Sequence, residues 1–231
     1  MKVRTDEIMR EQRVDLLIAI LVFGSLWGLS EVVLGSAIRA AGLPYRAGIL
    51  TGVGMGIMGM AIGIFRKPVM LAGIALVAIL CKQLAVPILH ASVMCEANSC
   101  LAVMLEGLAL AGVVSLAGRK LDRGYLIKIV SGALAALLVA AAFFFIGMQV
   151  APCRYLLSFN RPGGFMAFLA VEGLVWAAFS ATLFPLGYWA GARLRDVVPV
   201  FGTRKPWLYI TSAALVVCSW VASALAIATG L

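Results

Sequence analysis

The sequence predicts an all-α protein, a polytopic membrane helix bundle of about seven transmembrane helices in a single integral domain. Three observations carry that reading. Of 231 residues, 63% are hydrophobic and only 13% are charged, against roughly 25% charged in soluble domains. The mean hydropathy is +1.06. The apolar residues fall in seven long runs, and the basic residues between them alternate in number from one loop to the next. A spanning helix needs about 20 apolar residues, so this length leaves no room for a sizeable extramembrane domain.

The expected spans run from about Val14 to Ala41, Ala47 to Phe65, Pro68 to Leu89, Cys100 to Gly118, Tyr125 to Val150, Phe165 to Ala192 and Trp207 to Gly230. Residues 1–13 form a charged segment ahead of span 1, residues 14–192 hold a six-helix core, and residues 207–230 add a further helix. Span 1 is expected to stay in the mature protein, because its apolar run exceeds a signal-peptide core and no small-residue cleavage site precedes span 2.

Lys and Arg set the expected orientation. On the N-terminal side lie Lys2, Arg4, Arg10, Arg13, Arg66, Lys67, Arg119, Lys120, Arg123, Lys128, Arg193, Arg195, Arg204 and Lys205. On the other side lie Arg39, Arg46, Arg154 and Arg161. Because cytoplasmic loops hold the excess of basic residues, the N-terminus is expected in the cytoplasm and the C-terminus outside a cell (inner) membrane. The formal charge of +9 is then a mark of orientation, and no nucleic-acid partner is expected.

Span 2 carries Gly48, Gly52 and Gly56, followed by Gly59 and Gly63. The ridge lets another helix approach closely, within the bundle or from a separate membrane subunit. Pro87 in span 3 and Pro185 in span 6 each remove an intrahelical hydrogen bond and are expected to kink or end their helices.

Polar groups inside the spans are the candidates for chemistry. Glu31 (WGLSEVVLG), Glu106 (VMLEGLAL) and Glu172 (LAVEGLVW) lie in apolar surroundings. An ionisable group at such depth costs about 2.5–3.5 kcal/mol on insertion scales, so it normally faces a partner or a water-filled cavity. Their positions along the spans put all three in the outer half of the membrane. Lys82, with Gln83 beside it in span 3, can neutralise one carboxylate but not three. Trp27 and Trp176 stand one turn from Glu31 and Glu172, and an acid beside an aromatic suits a cationic ring or ammonium. The alternatives are structural hydrogen bonds between helices and proton or ion movement.

The segment HASVMCEANSC between spans 3 and 4 offers a disulfide between Cys95 and Cys100, or between either and Cys153, in an oxidising exterior. With His90 the same thiols are weak candidates for a metal, since their spacing matches no compact ligand pattern. The segment PCRYLLSFNRPGG between spans 5 and 6 reads as a lid or a connector. No phosphate-binding loop, nucleophile elbow or zinc helix is present in the sequence, and a single His rules out bis-histidine haem ligation within one chain. Neither enzymatic activity nor a cofactor is expected.

The segments GSLWGLSEVVLGSAI, GLPYRAGILTGVGMGIMG and ATLFPLGYWAGARLRD resemble the substrate-binding S components of energy-coupling factor transporters over spans 1 to 6. The resemblance implies a six-helix bundle that binds a vitamin or metal ion near its outer face. It implies a ligand site at Glu31, Glu106, Glu172 and Lys82. It also implies a docking face at Gly48, Gly52 and Gly56 for a transmembrane coupling subunit, which associates with cytoplasmic ATPases. Span 7 is additional to that pattern. The histidine that follows the initiating methionine in metal-specific members is absent, which argues against nickel or cobalt. The other function class open to the sequence is an integral subunit or assembly factor of a larger electron-transfer or proton-translocating complex.

Overall fold

Among the described residues, seven helices are long and apolar enough to cross a membrane: α1 (Val14–Ala40), α2 (Arg46–Phe65), α3 (Met70–Leu89), α4 (Ala97–Ala117), α5 (Tyr125–Val150), α6 (Gly164–Leu194) and α7 (Pro206–Thr229). The chain is a multi-pass, all-α membrane protein. This computed structural model describes residues 2–90, 96–195 and 205–230, with side chains for all of these except 2–13 and 205. The helical segment leading into α1 begins at Lys2. The face where α1 enters is called here the near face, and the opposite one the far face.

Helices α1 to α6 form a ring in the order α1, α3, α4, α5, α6, α2, which closes back on α1, and α2 also touches α4 across the middle. The core fills the ring with Trp27, Met55, Met58, Ile74, Leu110, Val139 and Phe184. Helix α7 packs outside the ring against α1 and α3. Two polar contacts fix it there. Trp220 Nε1 donates to Ser25 Oγ at 2.9 Å and the Cys81 thiol to Ser223 Oγ at 3.3 Å.

The glycine ridge of α2 faces α6. A Cβ at Gly48 would stand 2.6 Å from Val175 Cγ1, and one at Gly52 2.7 Å from Phe179 Cβ. One at Gly59 would stand 2.7 Å from the Phe184 carbonyl oxygen. Gly187 and Gly191 of α6 return the contact against the backbone at Gly56 and Met60. The numbers rise together, so the two helices run parallel, and hydrogen side chains on both let their backbones meet. The ridge expected as a docking face for a separate subunit, Gly48, Gly52 and Gly56, is therefore covered by the chain's own α6.

Of the two prolines, Pro87 acts as expected. Its helix breaks at Gln83 and Leu84 and resumes as the short Ala85–Leu89 turn. A proline clashes with the carbonyl four residues earlier, which here is Gln83. Pro185 does not end its helix, since Leu174–Leu194 is continuous α-helix. Instead α1 and α6 widen into single π turns at Ser30–Leu34 and Leu169–Gly173.

At the near face, Asp122 binds Arg66 and accepts from the Tyr188 hydroxyl at 2.7 Å, while Arg195 Nε donates to the Gly63 carbonyl at 3.0 Å. The Arg66 guanidinium holds the exposed Asp122 carboxyl below its ordinary value, and Arg66 is raised in return. These contacts tie the α2 end, the α4–α5 turn and the α6 end together.

Candidate functional site at the far face

Near the far face the ring encloses a cavity of about 660 Å³. Its walls carry Glu31 of α1, Thr51 of α2, Glu106 of α4, Phe143 of α5, and Phe168, Glu172 and Trp176 of α6. The three intramembrane glutamates, which lie more than 60 residues apart in sequence, thus converge on one space. On each of the five helices that carry a liner, the packed core residues named above lie on the near-face side of it, so the cavity is shut off from the near face by tight packing.

Two of the three acids sit in the π turns. Each wide turn is sealed by a bond to the fifth residue back: Gly35 N–H to the Ser30 carbonyl, and Leu174 N–H to the Leu169 carbonyl. In α1 the Ser30 hydroxyl also donates to the Trp27 carbonyl at 2.7 Å, a local bond that competes with the helical ladder. Such bulges add one residue to a turn and often mark functional sites.

Each carboxylate is held differently. Glu31 is paired with Lys82, whose Nζ donates at 2.8 Å, and both are nearly fully buried. Ser99 Oγ also contacts that ammonium. Glu172 accepts from the Tyr155 hydroxyl at 2.6 Å and from Trp176 Nε1 at 2.9 Å. Both its donors are neutral. Glu106 is 3% exposed and accepts one bond, from Thr51 Oγ1 at 2.9 Å, while its other oxygen is buried without a partner. Among the described residues the ion pairs are Lys82–Glu31 and Arg66–Asp122. One acid of the three is matched by a cation.

The segment between α5 and α6 folds over this space. Cys153 Sγ caps a short helical turn, Arg154–Leu157, by accepting from the Leu156 amide at 3.5 Å, and Cys153, Tyr155 and Leu156 all line the cavity. Leu156 is fully buried. Of the two readings, lid or connector, the segment covers the cavity. Burial first, and then the Glu172 carboxylate, push the Tyr155 phenol above its ordinary value. The α1–α2 turn forms another part of the rim, with Tyr45 in a left-handed conformation (φ 63°) that non-glycine residues seldom adopt. Tyr45, Arg39 and Arg46 line the cavity there.

Trp176 meets the expectation of an aromatic at the site. It packs against Phe143 at 5.9 Å and Phe168 at 6.3 Å between ring centroids. Trp27 does not line the cavity, and its assignment to the ligand site is corrected. Its ring is fully buried, filling the slot left by Gly54; spacing by one turn fixed its side of α1 but not the neighbour that receives it. Lys82 also lies off the cavity wall and acts on the site through Glu31. Cys95 lies outside the described residues. Cys100 accepts from Gln83 Nε2 at 3.1 Å, and Cys100 and Cys153 are not bonded to one another. No cluster of three metal-ligating side chains is found among the described residues. Sequence reasoning gave no site role to Thr51 or Arg46, and it singled out Tyr155 only as part of a lid. The signal that could have found Thr51 was its position as the hydroxyl-bearing residue among the glycines of α2.

Comparison of the chain with family models, with curated proteins and with solved structures yields no match.

Proposed function

We propose that the chain is the membrane-embedded solute-binding subunit of a transporter, taking a small cationic or amine-bearing ligand into the far-face cavity. One observation carries this reading: three glutamates from three helices border one cavity of about 660 Å³, and two of them have no cationic partner. A buried carboxylate is costly unless paired. A ligand cation supplies the missing charge, and Phe143, Phe168 and Trp176 offer it aromatic faces. The basic-residue bias, fourteen against four, supports a cytoplasmic near face and a cavity open to the exterior.

Uphill movement would need a partner, because the sequence contains no nucleotide-binding motif; a coupling subunit with cytoplasmic ATPases fills that role. With the glycines of α2 already occupied by α6, such a partner would dock on another face. No covalent step is assigned to these residues. The reading as a subunit of an electron-transfer or proton-translocating complex accounts for buried acids but leaves the cavity and its aromatic wall without a purpose.

The test is a thermal-shift screen of the purified full chain against amines, vitamins and divalent metals, repeated with Glu31→Gln, Glu106→Gln and Glu172→Gln. A ligand that stabilises the protein and binds more weakly to the Glu106 and Glu172 variants supports the proposal. No response across the panel, together with stable co-purification of redox subunits, overturns it. Unchanged affinity in all three variants returns the acids to a structural role.

A further inference from the structure

The cavity wall carries charges of both signs at two depths. Arg46 begins α2 at the far end, and Thr51, which holds Glu106, lies five residues further in, about 7.5 Å along the axis at 1.5 Å per residue. Arg39, in the last turn of α1, joins Arg46 at the rim, where Glu96 is the acidic liner. Neither arginine is in an ion pair with any described residue. The rim therefore has two guanidinium groups and the carboxylates of Glu96 and Glu172, and the interior has Glu106 once Lys82 has taken Glu31.

Three buried polar atoms of the cavity-lining side chains are unmet, Asn98 Oδ1 and one on each of two charged groups. Glu106 Oε2 is a buried acceptor without a donor, and Arg46 Nε is a buried donor without an acceptor. Both residues line the cavity, with the apolar side chains of Leu50 and Val103 at intermediate depth. Buried polar groups in native structures are nearly always satisfied. Water can serve either atom singly, but it carries no charge to set against the Glu106 carboxylate or the Arg46 guanidinium. A simple cation answers only the inner end.

Resting on the cation-site reading above, we infer that the ligand is amphoteric. A protonated amine meets Glu106, a carboxylate meets Arg46 with Arg39 beside it, and an apolar stretch of about 7 Å passes Leu50 and Val103 between them. A carboxylate at the rim suits a guanidinium because the planar fork can donate two parallel hydrogen bonds. The same arrangement selects against ligands whose two charges are adjacent, which cannot reach both ends.

The test uses four probes on the full chain in detergent, by calorimetric titration: 6-aminohexanoate, whose extended chain spans about the required distance; hexylamine, which lacks the carboxylate; hexanoate, which lacks the amine; and glycine, whose charges are too close. The expected result is that 6-aminohexanoate binds at least tenfold more tightly than hexylamine, hexanoate or glycine. Arg46→Gln should remove most of that advantage without weakening hexylamine, and Glu106→Gln should weaken both amines. The comparison among probes on the unmodified chain stands even where a variant fails to fold. Equal binding of hexylamine and 6-aminohexanoate overturns the amphoteric ligand and leaves the cation site intact. Binding of neither amine at millimolar concentration overturns both.

Discussion

Replacing Thr51 with valine removes one hydroxyl from the wall of the cavity and almost nothing else. The two side chains have nearly the same volume, and Thr51 is 3% exposed. The lost group is the donor to Glu106 Oε1 at 2.9 Å, and because the other oxygen already lacks a partner, the substitution leaves the whole carboxyl group buried without a hydrogen bond. A bond to a charged acceptor contributes about 1.5–3 kcal/mol, and a neutral pair about 0.5–1.5 kcal/mol, so Thr51→Val should cost about 1–3 kcal/mol. At roughly 2–4 °C per kcal/mol for a chain of this size, the melting temperature of the purified protein should fall by about 2–12 °C. The same change made on a Glu106→Met background should have little effect, since no acceptor remains; the coupling between the two positions is the quantity to measure. A variant that melts with the unmodified protein would refute the reasoning. So would an equal loss in both backgrounds, because the hydroxyl would then be acting on something other than Glu106.

The close seam between α2 and α6 predicts that Gly59→Ala, whose Cβ would lie 2.7 Å from the Phe184 carbonyl and 3.2 Å from the Tyr188 amide, destabilises by about 1–3 kcal/mol through overpacking. Gly112→Ala, with nothing within 4 Å of the added carbon, should melt within about 1 °C of the unmodified chain, and equal behaviour of the two alanines would remove the seam from the account. Tyr155 supplies a pH-dependent prediction. Its phenol is raised above the ordinary value, first by burial and then by Glu172. Whatever stability it lends is therefore complete below the ordinary phenol value near 10 and is lost as pH rises through the raised one. Phenolate absorbance should show Tyr155 in the late-titrating fraction, and Glu172→Gln should bring part of that fraction back; a profile that Glu172→Gln leaves untouched contradicts the bond.

The seven spans were legible because the length of an apolar run is itself the physical requirement for crossing a bilayer. The expected limits of spans 2 and 5 agree with the helices to within a residue, and span 4 begins at Ala97 instead of Cys100 because short polar residues extend its first turn. The depth of the three glutamates was legible for the same reason, since residue counts convert directly into distance along a helix. Lateral order was not. Spacing put Gly48, Gly52 and Gly56 on one face but left open whether α6 or another protein covers it, and it put Trp27 beside Glu31 without revealing the Gly54 slot that turns the indole away from the cavity. The π turns at Ser30–Leu34 and Leu169–Gly173 were also invisible, because apolar helical segments with ordinary propensities give no periodic sign of one extra residue. Arg39 and Arg46 had been counted as markers of orientation, and only the folded ring puts them on the same cavity as the acids.

The backbone contact between α2 and α6 has a mechanical consequence. Two helices that meet through glycine at several successive turns cannot slide without driving a carbonyl oxygen into a neighbouring chain, so they behave as one beam. That beam carries Thr51, Glu172 and Trp176, whereas Glu31 and Glu106 ride on α1 and α4. Any change in the volume of the cavity must then occur at the joints between the beam and the rest of the ring. The Thr51–Glu106 hydrogen bond lies across one of those joints, where it serves as a latch between two rigid bodies.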